Sequence, residues 1–506
     1  MMADGVEVNG INYTFSSGKA TVVSSTTSSS GGGIGFNNGY VGDIVIPSTV
    51  TYEGTTYTVT AVEEGVFIAS SRLTSVSIPA TVTSLGEAPF RSCNRLTAIN
   101  VDAANPAYSS IDGILYNKSG TQLISFPGAK GGDFTVSQNV TEIAPSAFYG
   151  CYQITSITLP SSVQTIGSNA FRACTAMKSI NIPSGITEIT DGMFYGCRSL
   201  QSVSIPTSVT SIGEYAFYYC SALIGLDIPS QVTSIGEYAF CTCTLLTDVV
   251  LPEGVEELGA HAFESCTKLA TVGLPASLQT VGAGAFRGCT LLTSIDVNSA
   301  SQYLASDNGV LLDYDKTEVI CCPGGYSGSY TVPSTVTQID EYAFYLCKKL
   351  TGVVLPLSLK AIRTCAFTSC YELTEIVIPE NVTLIGKNAF LDCTSLERVI
   401  SRATKVPTFV SDAFTSTAYK QIPLYVPAQS AVSYASASYW KKFTTMWKIG
   451  DVNKDGDLNV TDLSVLVAFL LGKTDEEVEL IMGDVNYDQN LTATDVTVIT
   501  SILVGN

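Results

Sequence analysis

Residues 205–227 read IPTSVTSIGEYAFYYCSALIGLD, and Ile228-Pro229 then begins the same phrase again. Phenylalanines mark the repeat: Phe67 and Phe90, then Phe148, Phe171, Phe194, Phe217, Phe240, Phe263 and Phe286, then Phe344, Phe367 and Phe390, with a step of 23 inside each run. Around each Phe the register returns, as in Ile205-Pro206, Val209, Ile212-Gly213, Ala216-Phe217, Cys220 and Leu223. A fixed period in the twenties with several apolar positions per unit predicts a solenoid, because one unit cannot bury its apolar side without neighbours. Leu223 to Ile228 alternates Leu226 and Ile228 with Gly225 and Asp227, which is strand periodicity. Stacked turns are therefore expected to join these strands into one long parallel sheet.

Two interruptions share one design. Phe90 to Phe148 and Phe286 to Phe344 each span 58 residues, and Gly113 to Pro127 is mirrored by Gly309 to Pro323. Ile114-Leu115-Tyr116 followed by Leu123-Ile124-Ser125 predicts a hairpin that projects from the stack. Open ends of a solenoid need covers. The expected order is an N-terminal β cap over 1–60, a solenoid over 61–400 with hairpin inserts near 101–134 and 298–331, a C-terminal cap over 401–447 and a separate module over 448–506. Tyr434, Trp440 and Trp447 are assigned to the C-terminal cap as an apolar lid.

The phrase I-P-x-x-V-x-x-I-G-x-x-A-F-x-x-C-x-x-L resembles the BspA-like class of bacterial surface leucine-rich repeats, over about residues 40 to 400. The resemblance implies a mainly β leucine-rich-repeat solenoid on a secreted or cell-surface protein, often an adhesin. It implies a host or bacterial surface protein or glycan as ligand, without saying which.

Composition narrows the partners. Charged residues are 14% of 506, and 45 acidic against 26 basic residues give a net charge of −19, which repels phosphate backbones and anionic membranes. Nucleic acid is not expected. No apolar run reaches the length of a membrane helix, Leu463 to Leu471 being the longest candidate. Met1-Met2-Ala3-Asp4 lacks a basic and an apolar leader region. The chain is thus read either as cytosolic or as exported with its signal peptide removed.

Eleven of fifteen cysteines, from Cys93 through Cys393, sit three residues after a repeat Phe. That phase predicts an inward ladder of reduced thiols acting as small apolar fillers. Cys241, Cys321, Cys322 and Cys365 fall outside it. The one histidine, His261, occupies the slot two before Phe263 that holds Tyr215 and Tyr238 in other turns. A nucleophile–histidine centre would have to use it, and its surroundings follow the repeat, so no catalytic residues are expected. The position after each Phe carries Tyr149, Arg172, Tyr195 and Tyr218 in consecutive turns, residue types that dominate binding hot spots, and marks a candidate ligand stripe. Ser179, Asn181, Ser202, Ser204 and Asp227 on the strand face are the other candidate surface.

The most specific motif is a pair. Residues 451–462 read DVNKDGDLNVTD and residues 484–495 read DVNYDQNLTATD. Oxygen ligands at loop positions 1, 3, 5 and 12, with a carbonyl at 7, suit a hard cation that takes six to eight oxygens. The first loop offers Asp451, Asn453, Asp455, Asp457 through its carbonyl, and Asp462, with Gly456 at the sharp turn. The second offers Asp484, Asn486, Asp488, Asn490 and Asp495, but Gln489 replaces the glycine, so a weaker site is expected there. Two calcium ions are expected, and millimolar extracellular calcium favours export. Each loop leads into a short amphipathic helix, Leu463 to Leu471 and Val496 to Val504.

These two loop-plus-helix units, closed by Asp rather than Glu, resemble a dockerin over about 450 to 506. The resemblance implies docking to a cohesin-like protein module through loop positions 10 and 11, here Val460-Thr461 and Ala493-Thr494. The function expected is calcium-dependent docking plus binding by the solenoid. A dockerin-borne carbohydrate-active enzyme and a structural spacer are the alternatives.

Overall fold

The computed structural model describes residues 5–24, 39–474, 478–486 and 490–504. The chain forms two compact units, Met1–Phe286 and Arg287–Asn506.

The first unit opens with the antiparallel strands Val6–Val8, Ile11–Ser16 and Lys19–Val23, the last of which pairs in parallel with Thr55–Val62. The Tyr40 hydroxyl ties this edge together, accepting from Asn12 N and donating to Val23 O. Beyond it, the turns build two parallel rows instead of the one expected. The row predicted from sequence is present as Val41–Val45, Arg72–Ile78 and Ala98–Val101, then Gly132–Thr135, Ile154–Thr158 and Ser179–Ile180, then Asp248–Val250 and Thr271–Leu274. It is not one long sheet. In this row, between Ser179–Ile180 and Asp248–Val250, the only pairing among the described residues is the single bridge Asn181–Ser204. There the turn-to-turn bonds from Gln201, Ile224 and Thr247 lengthen to 3.3 Å, and Gly225 has no side chain with which to pack a strand surface.

A second row, of two-residue strands, runs through that region unbroken: Glu188–Ile189, Ser211–Ile212, Ser234–Ile235, Glu257–Leu258 and Thr280–Val281, apolar residue over apolar residue. The remaining side of each turn is a string of tight turns. Tyr215 N, Phe217 N and Tyr219 N donate forward to Glu237 O, Ala239 O and Cys241 O at 2.9, 2.7 and 2.9 Å. This run requires left-handed backbone at two residues per turn, two before and two after the Phe. Tyr215 and Tyr219 have φ of +55° and +61°, Tyr238 and Thr242 +53° and +63°, His261 and Ser265 +57° and +59°. Non-glycine residues seldom adopt such angles, and the forward hydrogen bonds hold them there.

Inside, the phenylalanines stack ring on ring from Phe148 to Phe286, with centroids 5.1 to 5.8 Å apart. The cysteines do more than fill space. From Cys174 to Cys266 each ladder thiol donates to the carbonyl of the Phe one turn back, Cys174 to Phe148, Cys197 to Phe171, Cys220 to Phe194, Cys243 to Phe217 and Cys266 to Phe240, at 3.1 to 3.3 Å. Alanine would pack there but leave that oxygen with one partner fewer. Burial pushes the Cys197 thiol up to about 12, opposed by its bond toward Cys174, so these sulfurs remain protonated donors. All fifteen cysteines are free, Cys241, Cys321, Cys322 and Cys365 included. Thiol titration of denatured, unreduced protein is therefore expected to find at least the eleven ladder cysteines free. A count below about eight would contradict the ladder.

The inserts form the expected hairpins but do not project. In the first, Tyr108–Ile111, Ile114–Asn117 and Gln122–Ser125 pair antiparallel around a tight turn in which Asp112 and Gly113 both have positive φ, the signature of a primed hairpin turn. Gln122–Ser125 then pairs in parallel with Glu142–Ile143, so the insert is woven into the second row. Leu115 and Leu123 are fully buried and would be exposed on a projecting loop. Phe126 joins the Phe stack, 5.0 Å from Phe148. The second insert, Leu304–Asp307, Val310–Asp313 and Glu318–Cys321, repeats this arrangement. There buried Cys322 stands in the Phe126 position, its N–H bonded to Ala343 O as Phe126 N–H is to Ala147 O. Tyr330 replaces Phe134 and fills the space beside Phe344, its hydroxyl on Asp307.

In the second unit the first row continues past the last repeat, through Glu375–Ile378, Arg398–Ser401, Leu424–Pro427 and Met446–Ile449. Helices α1 (Ser416–Gln421) and α2 (Ala431–Ser436) lie between these last strands. Trp440 and Tyr434 are wholly buried, with Trp440 Nε1 on Pro407 O and the Tyr434 hydroxyl on Ala403 O, so this part of the aromatic cluster is core. The chain ends in α3 (Val460–Leu470), α4 (Leu480–Gly483) and α5 (Ala493–Val504), packed around Val452, Leu466, Val478, Val485 and Ile499.

Candidate functional site

The two acidic loops fold alike. Asp462, in the first turn of α3, accepts from Asn453 N and Asn459 N at 3.2 and 2.8 Å; Asp495, in the first turn of α5, accepts from Asn486 N and Thr492 N at 3.3 and 2.9 Å. Asn459 completes a capping box with Asp462, which explains why a polar residue and an acid three apart start this helix. Gly450 and Gly483 precede the loops, and a Cβ at either would press on Leu458 or Leu491 respectively. The module thus has an internal two-fold likeness from backbone to core.

Electrostatics show what the loops lack. Asp451, Asp462, Asp484 and Asp495 are buried, although carboxylates are seldom buried without a counter-charge. Asp451 Oδ2 accepts from Gly456 N at 3.0 Å, while its Oδ1 is buried without a hydrogen-bond partner among the described residues. Burial raises the Asp451 carboxyl above the usual carboxylate range; the Gly456 bond opposes this, and the Asp462 and Asp455 charges add to it. Gly456 takes a φ of +94°, as the sharp turn requires. Asp455 is exposed and held low by the Asp457 N–H and the Asn453 amide. Among the described residues no three acidic, histidine or cysteine side chains are gathered tightly around one point. Several of the loop oxygens instead bond the loop's own backbone, so a cation would have to draw them together. An orphaned buried oxygen within an ordered all-oxygen donor set fits calcium. Asp451, Asn453, Asp455, the Asp457 carbonyl and Asp462 would hold the first ion. Of the second set, Asp484, Asn486, Asn490 and Asp495 are described, whereas Asp488 and Gln489 lie outside the described residues.

The predicted stripe is also assembled. The Arg172 guanidinium lies 3.7 Å from the Tyr195 ring centre and 5.5 Å from that of Tyr149, and Tyr195 stacks on Tyr218 at 4.7 Å. A second column, which the sequence reading did not single out as a ligand surface, runs beside it. Tyr215 stacks on Tyr238 at 4.9 Å and Tyr238 on His261 at 4.7 Å, nearly parallel in both cases, and Tyr215 meets Tyr218 edge-on at 5.6 Å. Arg91 lies over Tyr149 and Arg198 over Tyr219. Burial pushes the Tyr218 hydroxyl up to about 12, which keeps it a donor. The signal was available in the slot shared by Tyr215, Tyr238 and His261. His261 spends its ring on Tyr238 and sets Nδ1 2.8 Å from Glu264.

A family model for the BspA type leucine rich repeat region matches in six copies, over residues 35–130, 123–224, 210–308 and 327–435. The chain belongs to the BspA-type leucine-rich-repeat family. Residues 449–503 match the dockerin type I domain. No curated protein matches the sequence. Among solved structures, a leucine-rich repeat protein from Bacteroides ovatus is 24% identical, covering 88% of this chain and 99% of that one with a TM-score of 0.43. A leucine rich cell surface protein from Faecalibacterium prausnitzii is 23% identical, covering 88% and 94% with a TM-score of 0.38. A leucine-rich repeat protein from Eubacterium ventriosum is 22% identical, covering 62% and 80% with a TM-score of 0.45. BspA-type repeats and dockerins are typical of extracellular or cell-surface proteins, and calcium binding follows from the dockerin. Among the described residues no helix is long and apolar enough to cross a membrane.

In the dockerin module, Val460, Thr461, Ala493 and Thr494 are all exposed. Asn453 Nδ2 donates to Thr461 Oγ1 at 3.0 Å and Asn486 Nδ2 to Thr494 Oγ1 at 2.7 Å, so each threonine is held by an asparagine of its own loop. On the strand face of the BspA-type repeats, Asn181 is occupied structurally, its side chain paired with the backbone of Leu159.

Proposed function

We propose that this protein is a non-enzymatic extracellular or surface binding protein, with a protein ligand held on the Tyr149, Arg172, Tyr195 and Tyr218 face. The dockerin module, carrying two calcium ions, presents Val460-Thr461 and Ala493-Thr494 to a cohesin-type partner. The observation that supports the solenoid reading is the continuous tyrosine–arginine surface, half-buried and built across successive turns. Tyr195 stacks on Tyr218 and Tyr215 on Tyr238, so these ring faces are taken up by one another. A sugar stacks on an aromatic face, whereas hydroxyls and ring edges suit the backbone and side chains of a protein.

The test is a protein and glycan array probed with the full chain and with Tyr195→Ala/Tyr218→Ala. Protein ligands are expected, with affinity falling about 30-fold in the variant, the scale of a hot spot of about 2 kcal/mol. Glycan hits, or protein hits indifferent to the substitutions, would reject this face. A hydrolysis screen that turned over polysaccharide would reject the non-enzymatic reading.

A further inference from the structure

Both calcium loops begin where an element rests on the end of the repeat sheet. Asp451 follows the edge strand Met446–Ile449 across Gly450, and Asp484 caps α4, its N–H donating to Leu480 O at 2.8 Å. The strand and the helix are joined directly, since Gly450 N–H donates to Met482 O at 2.9 Å. Met482 is fully buried in a cluster with Ile400, Tyr425 and Ile449, which come from three successive strands, and Val377, Trp447 and Ile481 flank it. Lys454 of the first loop pairs at 2.6 Å with Glu479, the residue preceding α4, and lies 5.9 Å from the Trp447 ring centre. Beside the contact lies a cleft of about 590 Å³ between the strand face at Val377, Glu375 and Arg398 and the module at Leu480 and Asp484.

We infer that calcium bound in these loops braces the last strands of the solenoid through α4, so that the dockerin module is also a calcium-dependent end cap. The inference rests on the calcium reading of the loops and adds a direction in which their binding energy travels. A helix of four residues has no stability of its own. α4 keeps its place because Asp484 anchors one end and Met482 is buried on the sheet. When uncompensated carboxylates loosen the loops, that anchor fails, and the cluster beneath opens along the edge strand Met446–Ile449, whose outer side is otherwise unprotected. Any ligand that binds only the assembled form stabilises every part of that form.

Hydrogen exchange of the full chain, in calcium and in chelator, tests this. Calcium is expected to slow exchange in α3 and α5 and also, about tenfold or more, in Arg398–Ser401, Leu424–Pro427 and Met446–Ile449, as for one cooperative unit. Asp248–Val250 is expected to be unaffected, and Trp447 emission should follow the same calcium titration. In Met482→Ala, α3 and α5 should still respond while the three strands lose their response. Glu479→Gln, on the surface, should weaken the coupling without disturbing the core. If the helices respond and the strands do not, the coupling is overturned and the calcium reading survives. If neither responds, both fall.

Discussion

Withdrawing calcium from the full chain is expected to remove the helical signal of α3 and α5 while the repeats distant from the module keep their fold. The argument is one of charge and size. Four buried aspartates line the two loops, and one Asp451 oxygen has no partner among the described residues, so the folded module carries an uncompensated electrostatic cost that a divalent cation offsets. The module's core is Val452, Leu466, Val478, Val485 and Ile499, too few side chains for a segment of under about 60 residues to hold without a staple. Calcium at a hundredfold excess over its Kd stabilises by about 2.7 kcal/mol, enough to decide whether such a module is folded. Asp451→Ala with Asp462→Ala should abolish the first site and reproduce much of the chelator effect. Far-ultraviolet circular dichroism and calorimetry of the full chain read the outcome. Unchanged spectra in chelator would refute the calcium assignment.

Phe217→Ala is expected to cost about 3–5 kcal/mol. Phe217 is fully buried and stacked at 5.1 Å on both Phe194 and Phe240, and its carbonyl accepts from Cys220 N and from Cys243 Sγ. Truncation leaves a void in the middle of a column that cannot collapse without tilting both neighbours. Because each turn is stabilised only by its neighbours, the damage should uncouple the turns on either side, broadening or splitting the thermal transition of the first unit. Phe217→Leu, which keeps most of the volume, should cost much less. A melting curve for Phe217→Ala that coincides with wild type would mean the stack does not carry the repeat's stability.

Burial made most of the repeat readable, because the same residue types must return wherever the same side of a turn faces inward. The Phe stack, the inward cysteines and the paired aspartate loops are local patterns, each declared within one period. What escaped the reading depends on the next turn. The residues two before Phe look like arbitrary surface positions until the forward hydrogen bonds show that they share a left-handed backbone, and only then do Tyr215, Tyr238 and His261 form a column. The ladder thiols look like small apolar fillers until the carbonyl one turn back is in place.

The amino-acid sequence by itself determined the solenoid, its period, the inward side chains and the pair of like aspartate-rich loops, since each follows from chemistry repeated along the chain. The tertiary structure alone decided that a second row of two-residue strands runs beside the first, that the inserts are woven into the stack, that Cys322 with Tyr330 replaces Phe126 with Phe134, and that Met482 seats the calcium module on the sheet. The physical reason is common to all four. Each depends on which backbone groups and side chains of separate turns come into register, and that register is set by packing between segments far apart in the chain.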